Sequence, residues 1–217
     1  MYVKVCGITH IDDALAAVRA GVDVLGFNRI PSSKRFLDDT GIVAIVRELR
    51  RRGPAPICVA VVADLAPARA ARLCAELGVD RVQLHGDEPA ADLAAIGRVA
   101  FKAMRIADAR DVERAAAYPG SPLLVDAKVN GQLGGTGVSI DWPLVEPLAR
   151  ARPLVLAGGL TPENVAAAVR VVRPWAVDVA SGVEAPGDPR RKDHEKLLSF
   201  VAAARAAVSG VEHPERF

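Results

Sequence analysis

Aromatic residues are scarce in this sequence, at 4% of the chain, so its interior cannot be organised around a few large rings. Hydrophobic residues still make up 51%, carried by Ala, Val and Leu, enough for a sizeable core of many small helix-to-sheet contacts. Cysteine is sparse as well. Cys6, Cys58 and Cys74 are odd in number, widely spaced and free of any CxxC pattern, which argues against a disulfide framework or a zinc site and for a reducing cytoplasm. The four histidines are scattered and none pairs with carboxylates at ligand spacing, so no metal is expected. No GxGxxG follows a strand, and no dinucleotide cofactor is expected. No apolar run reaches bilayer length, and "MYVKVCGITH" has neither an h-region nor a cleavage site, so no signal peptide is expected. The formal net charge of +2 provides no concentrated basic face for nucleic acid or a membrane surface.

Short β-branched runs alternate with longer Ala-rich helical patterns. Strands are predicted at Tyr2–Cys6, Val22–Phe27, Ile57–Val62, Asp80–Leu84, Val99–Met104, Leu123–Ala127, Pro153–Ala157 and Ala176–Ala180. Most are near-continuous apolar runs, as in a parallel sheet covered on both faces. A helix candidate follows each strand. Thr9–Asp12 resembles a capping box, Thr161 and Pro162 suit an N-cap and first helical position, and Asp87–Pro89 reads as another helix start. Gly21, Gly53, Gly78 and Gly97 lie where helices should stop. In the helix predicted over Pro67–Leu77, Ala70, Leu73, Cys74 and Leu77 share one face.

Eight such units at roughly 25-residue spacing, with no break in composition, predict an α/β single-domain (β/α)8 TIM barrel over residues 1–208 with a fraying tail at 209–217. An open doubly wound sheet is the alternative, and it usually has fewer strands. In a barrel the active site lies at the C-terminal strand ends. Polar and glycine residues concentrate there: Cys6-Gly7, the loop through Arg35, Asp64, Gln83 to Asp87, Arg105, Asp126 to Lys128, Gly158-Gly159 and Ser181-Gly182. The glycines after the last two strands could simply make tight turns. Two such loops at the strands where barrels usually bind phosphate instead favour an anion site at Gly158, Gly159, Ser181 and Gly182. The cluster "GGTG" (Gly134–Gly137) is a loop glycine cluster and on its own is weak evidence of a nucleotide site.

Cys58 in mid-strand and Cys74 on an apolar helix face read as structural thiols. Cys6 differs: its strand ends there, Gly7 removes a neighbouring side chain, and a helix N-terminus that can favour thiolate lies just beyond. Asp126 ends the sixth strand across the barrel, where it could also cap a turn or pair with Lys128. A base and an acid on opposite sides of an anion grip suit proton transfers on a sugar phosphate.

With these residues in view, the chain resembles the phosphoribosylanthranilate isomerase family of tryptophan biosynthesis. The resemblance is carried by "KVCGIT" (Lys4–Thr9), "VQLHGDE" (Val82–Glu88), "VDAKVNGQLGGTGVSIDW" (Val125–Trp142), "LAGGLTPENV" (Leu156–Val165), "VDVASGVE" (Val177–Glu184) and "PGDPRRKD" (Pro186–Asp193). It implies a cytoplasmic, cofactor-free Amadori rearrangement of N-(5-phosphoribosyl)anthranilate to 1-(2-carboxyphenylamino)-1-deoxyribulose 5-phosphate. Asp126 would be the general acid and Cys6 the general base. Arg35 would grip the anthranilate carboxylate, with Gln83, His85 and Asp178 as further substrate contacts. The partner would be a phosphorylated amino-sugar, bound by a monomer or homodimer. One stretch departs from the family pattern: "GFNRIPSSKR" (Gly26–Arg35) has Asn28 at a usually apolar position, Arg29 for an aromatic and Lys34 for a proline. These changes predict extra charge beside the carboxylate site. That charge could tighten anion binding or mark a related isomerase for another acidic aglycone. A non-catalytic phosphate-binding paralog would have no reason to keep both the acid and the base.

Overall fold

A computed structural model describes residues 1–127 and 140–208. Eight parallel strands close into a barrel in sequence order: β1 (Tyr2–Cys6), β2 (Val24–Asn28), β3 (Ile57–Val62), β4 (Arg81–Leu84), β5 (Ala100–Ile106), β6 (Leu123–Ala127), β7 (Leu154–Leu156) and β8 (Ala176–Val179). The helices are α1 (Ile11–Arg19), α2 (Asp39–Arg51), α3 (Pro67–Leu77), α4 (Ala90–Ile96), α5 (Ala109–Ala117), α6 (Trp142–Ala151), α7 (Val165–Val172) and α8 (His194–Ala206). The (β/α)8 expectation holds. The "GGTG" cluster, the Lys128 of the Asp126–Lys128 alternative and the tail at 209–217 lie outside the described residues.

The apolar residues divide into two layers. One fills the space between strands and helices and contains Val3, Val5, Leu25, Phe27, Leu73 and Phe200. The other plugs the lower barrel interior with Val24, Val59, Phe101, Leu124, Val155 and Ala176. Because strand side chains alternate, Val3 and Val5 facing the helices leave Tyr2, Lys4 and Cys6 on the inner face of β1. Closing the barrel thus carries Lys4 into the interior and Cys6 to its upper rim. The helices seal the barrel through their apolar stripes. On α3, Ala70, Leu73 and Leu77 are buried and Cys74 is half-buried. Truncating a fully buried leucine such as Leu73 would cost about 2–5 kcal/mol.

The stop signals are where expected: Gly78 and Gly97 cap α3 and α4 with positive φ, and Gly21 and Gly53 follow the C-caps of α1 and α2. Three start signals differ. The N-cap of α1 is His10, whose ring accepts from the Asp12 amide at 3.3 Å. Thr9 instead donates its hydroxyl to the Arg190 carbonyl, because a distant segment packs against it. Helix α7 begins after Asn164, not at Thr161. The Asn164 carboxamide accepts from the Thr161 amide at 2.8 Å and donates to the Gly159 carbonyl at 2.9 Å, making a turn that fastens the glycine loop. Pro89 sits at the N-cap of α4 rather than inside it, and Glu88 is drawn away into a buried pair with Lys102 at 2.7 Å.

An antiparallel hairpin, β9 (Glu184–Ala185) and β10 (Asp188–Lys192), fills the loop between β8 and α8. Pro186 and Gly187 (φ +78°) occupy the central turn positions, as a type II turn requires. Asp13, fully buried on α1, fastens this hairpin: its carboxylate accepts from Arg191 Nε (3.1 Å) and the Lys192 amide (3.0 Å), and lies 2.9 Å from His194 Nε2.

Candidate active site

A pocket opens at the C-terminal ends of the strands. Cys6, Arg35, Gln83, His85, Asp126, Asp178, Gly158, Gly159 and Ser181 all line it. Gly182 stands directly behind: a Cβ there would lie 2.0 Å from the Leu160 carbonyl oxygen, so its lack of a side chain lets the loops after β7 and β8 meet.

Cys6 points over Gly26. A Cβ at Gly26 would sit 2.8 Å from Cys6 Sγ and 3.2 Å from Lys4 Nζ. Burial pushes the Cys6 thiol pKa up, and the Lys4 and Lys192 ammonium groups only partly offset this. The thiolate expected from the nearby helix start is therefore not favoured in the free pocket: desolvation outweighs the helix end. Cys58 is fully buried, with its thiol pKa pushed up to about 12 by burial, as suits a structural cysteine.

Asp126 is buried at the end of β6, and its Oδ1 accepts from the Ala127 amide at 2.8 Å. Burial, reinforced by the Asp178 charge, pushes its pKa up to about 6. His85 Nε2 lies 3.8 Å from Asp126 Oδ2. The Gln83 carboxamide nitrogen is 3.0 Å from His85 Nδ1, so with Gln83 donating, the imidazole proton sits on Nε2, facing the pocket. Burial and the cations of Lys102, Lys4 and Arg105 depress the His85 pKa to about 3, which keeps the ring neutral. The pair Lys102–Glu88 braces the loop beneath His85: Lys102 Nζ also donates to the Gly86 carbonyl at 2.6 Å, and Glu88 accepts from the Asp64 amide at 2.9 Å.

Arg35 is buried, not a solvated surface charge, and its Nε donates to the Glu184 carboxylate. Gly7 makes room for it. A Cβ at Gly7 would lie 2.3 Å from Arg35 Cδ, and the φ of +74° itself favours glycine. The expected extra charge beside this site is absent among the described residues. Arg29 turns outward to pair with Asp39 (NH2 to Oδ2, 3.1 Å), and Lys34 is exposed. Asn28 does line the pocket, with its side-chain oxygen accepting from the Ile30 amide at 2.9 Å.

Three charged residues here were not singled out from sequence. Lys4 is fully buried and donates to Asp178 Oδ2 at 2.7 Å. Lys192, on β10, donates to the Ala180 carbonyl at 3.0 Å and lies 3.8 Å from Glu184 Oε1. Burial lowers its pKa to about 8. Lys4 was recoverable from strand alternation, being two residues before Cys6. Lys192 and Glu184 lay within the motifs "PGDPRRKD" and "VDVASGVE", but no apolar periodicity marks the hairpin that presents them.

The family model for N-(5'phosphoribosyl)anthranilate (PRA) isomerase matches residues 3–203. The chain belongs to this isomerase family. An N-(5'-phosphoribosyl)anthranilate isomerase of Roseiflexus sp. (strain RS-1) is 49% identical over 95% of this chain and 98% of its own. Monomers generated from the dimeric phosphoribosylanthranilate isomerase of Thermotoga maritima superpose with a TM-score of 0.83 at 38% identity, covering 95% of this chain and 99% of that one. A phosphoribosyl anthranilate isomerase in complex with reduced 1-(o-carboxyphenylamino)-1-deoxyribulose 5-phosphate superposes with a TM-score of 0.83 at 37% identity, over 95% and 99% of the two chains. The isomerase family thus shares this barrel over nearly its whole length.

Proposed function

We propose that the protein catalyses the Amadori rearrangement of N-(5-phosphoribosyl)anthranilate, with Cys6 as general base and Asp126 as general acid. The observation that carries this reading is the convergence in one pocket of a thiol, a carboxyl group that keeps its proton to about pH 6, a buried guanidinium and two glycine loops. The loops at Gly158-Gly159 and Ser181-Gly182 offer backbone amides to the phosphate. Arg35, steadied by Glu184, meets the anthranilate carboxylate with parallel donors. Gln83, His85 and Asp178 contact the ribose between them.

Asp126 donates its proton to the furanose ring oxygen as the anthranilate nitrogen lone pair opens the C1–O bond, leaving a protonated imine. That cation acidifies the C2 proton, so no cofactor is called for. Cys6 thiolate takes the C2 proton, and the electron pair moves into the C1–C2 bond to give an enolamine. Protonation at C1 and loss of the C2 hydroxyl proton yield the ketone. Cys6 ends protonated and Asp126 ionised, and exchange with solvent resets both. The pairing of Arg29 with Asp39 and the exposure of Lys34 support anthranilate over a more acidic aglycone. We assign the activity to residues 1–208, in the cytoplasm, as a monomer or homodimer.

The test is turnover of phosphoribosylanthranilate, followed by loss of its anthranilate fluorescence. Cys6→Ala and Asp126→Asn should each lower kcat by about 10²–10⁴-fold while product-analogue binding persists. Failure of the well-folded native protein to turn over substrate would overturn the assignment.

A further inference from the structure

We infer that Lys4 is the positioning residue that holds Cys6 ready as a base, with Asp178 setting how strongly it does so. This rests on the proposed role of Cys6, though the closing experiment does not depend on turnover.

The geometry begins in the strand register. Lys4 and Cys6 lie two residues apart on the inner face of β1, and Lys4 is the register partner of Asp178 on β8. The Lys4 side chain is fully buried, and its ammonium donates to Asp178 Oδ2 at 2.7 Å while lying on the same side of Gly26 as the Cys6 sulfur. Gly26, on β2, is the floor of this arrangement: sulfur and ammonium both approach the point where its Cβ would be. One buried cation therefore serves two acidic groups. Asp178 keeps its second oxygen, Oδ1, buried without a hydrogen-bond partner among the described residues.

A buried ammonium carries a desolvation penalty that a structural pair with Asp178 alone would already offset. Its place beside the sulfur over Gly26 is what links it to the chemistry, because a nearby cation lowers the cost of forming thiolate. Asp178 acts the other way, through its negative charge near the sulfur and its claim on the same ammonium. The remaining charged groups near the sulfur are Lys192, from the β9–β10 hairpin, and beyond it Arg35 and Glu184. Asp126 and His85 line the same pocket from β6 and the end of β4. Of these charges, Lys4 acts most strongly on the thiol.

The opposed signs give a test that a purely structural role would fail. In the full chain, the rate of iodoacetamide alkylation at Cys6 is measured against pH, with the modified peptide identified by mass so that Cys58 and Cys74 do not contribute. Lys4→Met should raise the alkylation midpoint by about one pH unit or more, and Asp178→Asn should lower it. If the buried Asp178 prevents Lys4→Met from folding, the Lys4→Met/Asp178→Asn variant, which buries no lone charge, is compared with Asp178→Asn alone and should again show the higher midpoint. In variants that turn over substrate, the same displacement should appear in the upper limb of the kcat/KM pH profile. Midpoints unchanged on loss of Lys4, or moved in the same direction by both substitutions, would overturn the inference and leave Lys4 as a structural counter-ion. Absence of turnover alongside opposed shifts would instead refute the proposed function alone.

Discussion

Asp126 retains its proton up to about pH 6, while Cys6 is pushed above the ordinary thiol range. The productive arrangement, protonated Asp126 with ionised Cys6, is therefore the minor form of the singly protonated pair. Its fraction stays constant between the two pKa values and falls outside them. The expected kcat/KM profile is a bell that rises through about pH 6 as one proton leaves the pair and falls as the second leaves at the thiol's pKa. Carboxyl NMR of Asp126 should follow the lower limb, and Cys6 alkylation the upper. A lower limb that tracked Cys6 would refute the order. Arg35 makes a separate prediction. Arg35→Lys keeps the charge but loses the fork, so KM should rise roughly tenfold with kcat little changed. An unchanged KM in steady-state assays would remove Arg35 as the carboxylate grip.

At the scale of elements, the β9–β10 hairpin brings Lys192 and Glu184 to a site otherwise built by strand ends and the β2–α2 loop. Its anchor is Asp13, whose pKa is held low by its bonds to Arg191, His194 and the Lys192 amide against the opposing effect of burial. A depressed carboxylate contributes stability above its unfolded pKa and loses that contribution as pH falls through the lower folded value. Asp13→Ala should therefore lower Tm at neutral pH, and this deficit should shrink in acid. It should also reduce kcat/KM by loosening the support of Arg35. Thermal melts across pH, paired with assays at neutral pH, check both; full activity would show that the hairpin is not needed to organise the site. The eight strands were legible because parallel strands covered on both faces read as apolar runs. The hairpin was not, because a two-residue strand facing a charged one carries no hydrophobic alternation. The Thr9 and Thr161 starts were misread for a related reason. A capping pattern is local, and the groups that claimed Thr9 and Asn164 are Arg190, remote in sequence, and the glycine loop.

For the whole molecule, the site carries a stability cost. The Asp126 pKa is raised from 3.8 to about 6, so the folded state binds this proton more tightly than the unfolded chain does. The stability this confers is complete below pH 3.8 and is lost as pH rises through about 6. At neutral pH, ionised Asp126 thus destabilises the fold by up to about 3 kcal/mol, some two pK units at 1.36 kcal/mol each. Asp126→Asn keeps an acceptor for the Ala127 amide and removes the charge. It should be inactive yet melt several degrees higher at pH 7.5, with the gain vanishing near pH 4. Calorimetry at the two pH values measures this, and a variant less stable at pH 7.5 would contradict the burial argument.

The sequence by itself determined the repeat of strand and helix, the closure it implies, and which residues end each strand, because these follow from hydrophobic period and local turn chemistry. It also determined that Cys6 and Asp126 would meet, once eight strand ends are known to share one rim. Only the tertiary structure decided their charge state. The helix start beside Cys6 suggested a thiolate, whereas burial raises the thiol and a lysine hidden inside the barrel answers it. Tertiary packing also sent Arg29 outward to Asp39, drew Arg35 inward over Gly7, and folded a charged hairpin down beside Arg35. Desolvation and ion pairing depend on what surrounds a group in space, and those neighbours are set by closing the barrel.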